Sequence, residues 1–347
     1  MKSSLIAVSL SFLWAVPALA QDDRVVLANG TTIEGVRVAS FDIRELRYTK
    51  GGNNETVPSD QVVKVELAKF KDVYRRGLSD PDLMLTVARE QLKEKSLLLA
   101  QLGFVGAAAQ FFDSDQASQA VAALDELQKG IPEAGVLPEV FRQKFEYYMG
   151  IGRGGDALKV AQKYRLDAQG GAWPAGLAVE GEFFEAMAER ANGGNPKDFQ
   201  TKLRSVIGKA SSSQIVANRA NVQLANSLRE AKDIDGARRI YEDLAQRDGV
   251  DSSTRAGAYL GLGLLAYDKA QGGDKEAARE AMMLFLRVRL QTKDCWPSLQ
   301  AEALYHAIHA ADKWRGSEYQ TIMARCRGVL SAEFPGSEWT SKAKQGL

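Results

Sequence analysis

The chain has 347 residues, 45% hydrophobic and 26% charged, with a formal net charge of +1. That length can fill more than one core. A charge near zero excludes a global field that would draw the protein to nucleic acid or anionic lipid.

Met1 and Lys2 lead into an apolar run from Leu5 to Val16, followed by Pro17-Ala18-Leu19-Ala20. A positive start, a short apolar stretch and an A-x-A-like site compose a secretory signal peptide, so residues 1–20 are expected to be removed after Ala20. The run is shorter than the ~20 apolar residues of a spanning helix. No later run reaches that length, and no Cys adjoins the cleavage site to carry a lipid anchor. The expectation is a periplasmic or secreted protein without membrane insertion. In such a compartment Cys295 and Cys326 are candidates for a disulfide, provided their helices bring the Cα atoms within about 7 Å. Two buried thiols are the alternative.

Residues 21–68 read as a small all-β module. Val25-Val26-Leu27 precedes Asn29-Gly30, a tight-turn signal. Thr32 to Val38 alternates as a second strand, and Ile43, Leu46 and Tyr48 belong to a third. Gly51-Gly52-Asn53-Asn54 is a turn before Thr56-Val57. Pro58-Ser59-Asp60 separates that strand from Val62 to Leu67.

The stretch from Val25 to Asp42, with its Asn29-Gly30 turn, second glycine Gly35 and Phe41-Asp42, resembles the first motif of Sm-like barrels. The resemblance implies a five-strand barrel-like module of the Sm-like or SH3-like kind. Sm proteins bind RNA as rings and carry an Arg-Gly step in a second motif. The matching Val63-Lys64-Val65-Glu66-Leu67 has none, so the implied role is docking, oligomerisation or capping without nucleic acid.

Residues 69–347 change to Ala, Leu, Glu, Lys, Gln and Arg with apolar spacings of three and four. Helix starts recur at Trp173-Pro174, Ser212-Ser213, Ser252-Ser253 and Trp296-Pro297, in steps of 39, 40 and 44 residues. Proline and serine both suit a helix start. Each start is followed by a helix, a polar or glycine-containing turn, and a second helix. Leu224, Ala225 and Leu228 on one helix and Ala237, Tyr241 and Leu244 on the next resemble the large-small-large pattern of tetratricopeptide repeats. Pro138–Gly150 with Asp156–Ala168, and a longer Leu83–Phe112 with Gln116–Lys129, extend the series to about six hairpins. The predicted fold is mainly α, an α-α superhelix of TPR-like hairpins preceded by the β module.

No nucleotide, metallopeptidase or serine-hydrolase motif is present. Gly150, Gly152 and Gly155 match G-x-G-x-x-G but follow a helical stretch and read as a turn between helices. His306 and His309, the two histidines, share a helix face without a set of further ligands. Glu180 and Glu185 read as ordinary acids on a solvated helix face. No catalytic residue, cofactor or metal is assigned, and the chain is not expected to be an enzyme. In superhelical arrays the first helix of each pair lines the concave face. Tyr147, Tyr148, Phe183, Phe184, Tyr259, Tyr305 and Trp314 are therefore the candidate partner-binding residues, with packing between hairpins as the alternative. The function expected is that of an exported scaffold holding envelope proteins. Binding of glycan or another cell-wall polymer, or service as an accessory module of an exported enzyme, is the alternative.

Overall fold

The computed structural model describes residues 22–114, 116–292 and 295–345. The expected signal peptide lies outside them.

Five strands open the described chain: β1 (Asp23–Leu27), β2 (Thr32–Phe41), β3 (Glu45–Lys50), β4 (Asn53–Pro58) and β5 (Val62–Glu66). Asn29 Oδ1 accepts the Thr31 amide at 2.9 Å, and Gly30 takes φ 81°, which closes the β1–β2 turn. Phe41 and Asp42 have structural tasks. Phe41 is buried, and Asp42 Oδ1 accepts the amides of Arg44 and Glu45 at 2.9 and 3.1 Å. Asn53 and Asn54, expected in a turn, begin β4 instead, because Gly51 and Gly52 alone reverse the chain at φ 54° and 87°.

The sheet is antiparallel in the order β4-β3-β2-β1-β5, and among the described residues it is not closed into a barrel. This corrects the barrel implied by the Sm-like resemblance. Two features hold β5 away from β4. Its pairing with β1 skips Val63, since Val26 faces Lys64 and Leu27 faces Val62, which marks a bulge. Its outer side also faces helices rather than another strand.

The helices are α1 (Phe70–Val73), α2 (Pro81–Lys93), α3 (Leu97–Asp113), α4 (Ala117–Gly130), α5 (Leu137–Gly150), α6 (Gly154–Gly170), α7 (Ala175–Ala191) and α8 (Pro196–Lys209). They continue with α9 (Gln214–Glu230), α10 (Ile234–Gln246), α11 (Ser252–Ala270), α12 (Lys275–Gln291), α13 (Pro297–Trp314), α14 (Tyr319–Glu333) and α15 (Glu338–Gln345). None is long and apolar enough to cross a membrane. Leu83–Phe112, expected as one helix, is two, because Lys95 adopts a left-handed φ of 59° between α2 and α3. The expected Ser252-Ser253 cap is displaced by one residue. Asp251 caps α11 by accepting the Thr254 amide, and Ser253 Oγ accepts the Trp296 amide at 3.1 Å.

Six antiparallel pairs, α3/α4 to α13/α14, stack in sequence. The odd-numbered helices α3, α5, α7, α9, α11 and α13 each touch the next odd-numbered one and form the inner layer. Helix α2 precedes the stack and α15 packs on α13 and α14 at its end.

The sheet docks onto the start of this array. Gln101 on α3, 1% exposed, donates to the Phe41 carbonyl at 3.0 Å and accepts the Val136 amide at 3.3 Å. Asp42 bridges Ala134, and the Ile43 amide donates to the Glu133 carbonyl at 2.9 Å. Tyr74 is fully buried against Gly103 of α3, and its hydroxyl donates to the Leu99 carbonyl at 2.9 Å. Sheet and helices up to α9 thus share one continuous apolar core.

Candidate functional site: a groove between the sheet and the inner helices

Docking leaves three clefts between β5 and the inner helices, and Val63, 58% exposed at its bulge, borders all of them. The widest, about 630 Å³, separates β1 and β5 from Ile215, Arg219 and Trp296. Next to it a cavity of about 180 Å³ lies between Asp60 of the sheet and Arg142, Glu146, Glu180 and Arg219. An apolar dimple of about 110 Å³ adjoins that cavity, and the two share Glu146, Arg219 and Trp296. A larger cleft, about 1080 Å³, is elsewhere, between β2 and the start of α3. It lacks a comparable array of buried charges, so the groove at Val63 is the candidate site.

A buried ion network forms its floor. Arg142 of α5 donates from Nε and Nη2 to the two carboxylate oxygens of Glu180 on α7, at 2.9 and 2.8 Å. Arg219 of α9 donates to Glu180 at 3.3 Å, and Tyr164 Oη of α6 at 2.7 Å. Glu180 is 1% exposed, which corrects its reading as a solvated acid. Glu185 is no free surface acid either, as it accepts from Arg165 Nε at 2.7 Å. Burial alone would push the Glu180 carboxyl up. The charges and hydrogen bonds of Arg142, Arg219 and Tyr164 outweigh it and hold the group below the usual range. The Arg219 guanidinium also lies 4.8 Å over the Trp296 ring.

Two further carboxyls border the same cavity with the opposite shift. Glu146 is exposed at the groove mouth, yet the surrounding helices desolvate its carboxyl. That burial, aided by the charge of Glu139, pushes it up to about 7 against the pull of Arg219 and Arg142. Burial, with a smaller contribution from Glu180, also raises Asp60.

The candidate aromatics are dispersed rather than gathered. Phe183 and Phe184 border the apolar dimple, but each is only 4% exposed, and Phe184 stacks on Phe145 at 4.3 Å. Tyr147 packs on Phe112 of α3, and Tyr148 lies under Arg153 at the α5–α6 turn. Tyr259 packs into the C-terminal core. Tyr305 joins His306, His309 and Trp339 in an aromatic cluster. Trp314 covers Ala270, Ala277 and Ala278. Phe183 and Phe184 are thus buried in packing between hairpins, and the other five are half-buried against neighbouring side chains.

Cys295 and Cys326, the disulfide candidates, are both buried side chains. Burial pushes Cys326 up to about 11. His306 is lowered to about 4, first by burial and then by His309. Among the described residues no group of three or more His, Cys, Asp or Glu side chains could hold a metal. Gly150 ends α5, Gly152 lies in the turn to α6 at φ 72°, and Gly155 falls at the start of α6.

Arg142, Glu146, Asp60 and Arg219 were not singled out by sequence, although a signal exists. Arg142 and Glu180 are 38 residues apart, and Glu180 and Arg219 are 39. That is the repeat step, so these charges sit at equivalent positions of successive inner helices. Arg190–Glu230 and Arg229–Asp268 pairs, 40 and 39 residues apart, follow the same rule.

No family model matches the chain, and no curated protein matches its sequence. Among solved structures, it is similar to PilW, a widely conserved type IV pilus biogenesis factor. The identity is 13%, covering 70% of this chain and 98% of that one at a TM-score of 0.40. It is similar also to the apo quorum sensor NprR from B. thuringiensis, with 14% identity, 79% of each chain covered and a TM-score of 0.46. A putative kinesin light chain from Podosopora anserina with TPR-like repeats gives 16% identity, 56% and 96% coverage, and a TM-score of 0.36.

Proposed function

We propose that this chain is an exported protein-binding scaffold, not a catalyst, which holds a partner in the groove between its sheet and its inner helices. The observation that carries this reading is the groove itself. It is concave, several side chains wide and walled by two different structural units, with apolar and charged surface interleaved. Such a surface suits a polypeptide segment more than a small substrate, because its polar groups are spread along it and do not converge on one reacting atom. Export rests on the signal-like residues 1–20, and envelope proteins are the partners proposed.

The glycan alternative calls for exposed, coplanar rings. Tyr147 and Tyr148 lie at 52° to each other, and Tyr305 and Trp339 at 42°, and each ring packs on protein.

Photo-crosslinking residues placed at Val63 and Trp296, with Leu290 on the outer helix α12 as control, test the reading in cells. Groove positions that crosslink to one protein band, with Leu290 silent, support it. Crosslinks equal at all three positions, or only to wall fragments, refute it.

A further inference from the structure

The charges around the small cavity do not balance. Asp60, Glu139, Glu146 and Glu180 face only two cations, Arg142 and Arg219. Both guanidiniums are committed to Glu180, and Arg142 lies also 3.6 Å from Glu139. Among the described residues Asp60 and Glu146 have no ion-pair partner, and both carboxyls are raised in consequence of burial. Arg219 Nε is buried without an acceptor. A site with two uncompensated carboxylates and one unused donor is complementary to a peptide that brings a cation and a backbone carbonyl.

Resting on the scaffold reading, we propose that the groove recognises an extended partner segment with a basic side chain two residues from an apolar one. The basic side chain enters the cavity between Asp60 and Glu146. The apolar side chain fills the adjoining dimple on Phe145, Phe184, Met187 and Leu299. Side chains two apart on an extended chain project to the same side about 6.6 Å from each other, which suits two cavities that share a wall. A carbonyl of the segment accepts from Arg219 Nε.

Random dodecapeptides displayed on phage, selected on the full chain and counter-selected on the Asp60→Asn/Glu146→Gln double variant, provide the test. Both substitutions are isosteric, and circular dichroism checks that the variant remains folded. The expected result is enrichment of peptides with Lys or Arg two residues from Leu, Phe, Met or Ile. These should bind the double variant about tenfold more weakly. Enriched peptides without a basic residue, or equal affinity for both proteins, overturn the proposal. If such peptides still crosslink from Val63 and Trp296, the scaffold reading survives alone. If nothing enriches and neither position crosslinks, both fall.

Discussion

The two halves of the array are held together differently. From the sheet to α9, one continuous core is crossed by polar ties: the Arg142–Glu180–Arg219 network, Gln101 between Phe41 and Val136, and Asp42 beside Ala134. From α11 onward, a separate core is rich in small residues, and its polar ties, such as those of Arg289 to Gln300 and Glu333, do not centre on a buried carboxylate. Ala256, Ala301, Ala303, Ala307, Ala310 and Ala311 are all buried, and Gly263 receives the Phe285 ring. Small residues let helices approach at no electrostatic cost. Buried ions instead demand correct partners and leave a concave face that is charged and accessible. The charges of the groove therefore come from the half with the buried ion network, while Trp296, Thr254 and Leu299 of the other half complete its wall.

Removing the central anion should expose this difference most. Glu180→Ala leaves two guanidiniums and the Tyr164 hydroxyl without their acceptor and is expected to cost about 3–5 kcal/mol. Because repeat arrays unfold by neighbouring units, hydrogen exchange should rise over α5–α9 and change little over α13–α15. Equal acceleration in both halves would show that they unfold as one.

The converse variant is Gly263→Ala, which forces a methyl into the Phe285 ring. It is expected to cost about 1–3 kcal/mol, read by denaturant unfolding, with its exchange effect confined to α11–α14. Gln101→Ala should come next, at about 1–3 kcal/mol from the stranded Phe41 carbonyl and Val136 amide. Its mark is faster exchange in β2 and β3 without change beyond α9.

The pH response sharpens the comparison within one half. Glu180 is held below its ordinary 4.5, so its contribution is present above that value and is lost as acid takes the pH through the lowered one. Glu146 works in the opposite sense. Its proton is bound more tightly in the folded protein, so its contribution is complete below 4.5 and is lost as the pH rises through about 7. Glu146→Gln should flatten the decline in stability between pH 4.5 and 7. Glu302, also pushed up to about 7, by burial and then by Glu338, gives the C-terminal half a decline of the same sign. Glu302→Gln should therefore flatten the remainder. The smallest effect concerns the thiols. Cys326, buried and raised to about 11, should react with a thiol reagent only on unfolding, and a fast native reaction would contradict its placement.

Much of this architecture was written in local pattern. The period-two stretch from Arg24 to Leu67, the turns at Asn29-Gly30 and Gly51-Gly52, and the recurring starts from Trp173 to Trp296 place five strands and the later hairpins within a few residues. These signals act over one turn or one repeat step, through backbone geometry and the side on which apolar residues fall. Even the ion ladder was present as charges one repeat apart, although spacing alone could not say that Glu180 is buried rather than solvated.

What only the tertiary structure decided was where surfaces meet. The break at Lys95 depends on one residue's left-handed backbone, and the open edge at β5 on helices that occupy the side a closing strand would need. The fate of Phe183, Phe184, Cys295 and Cys326 depended on neighbours brought from distant helices. The groove exists because Gln101, Gly103 and Gly135 seat the sheet against the inner layer. Contacts between segments far apart in sequence are set by shape complementarity and by the cost of leaving buried charge unpaired. Neither quantity has a period along the chain.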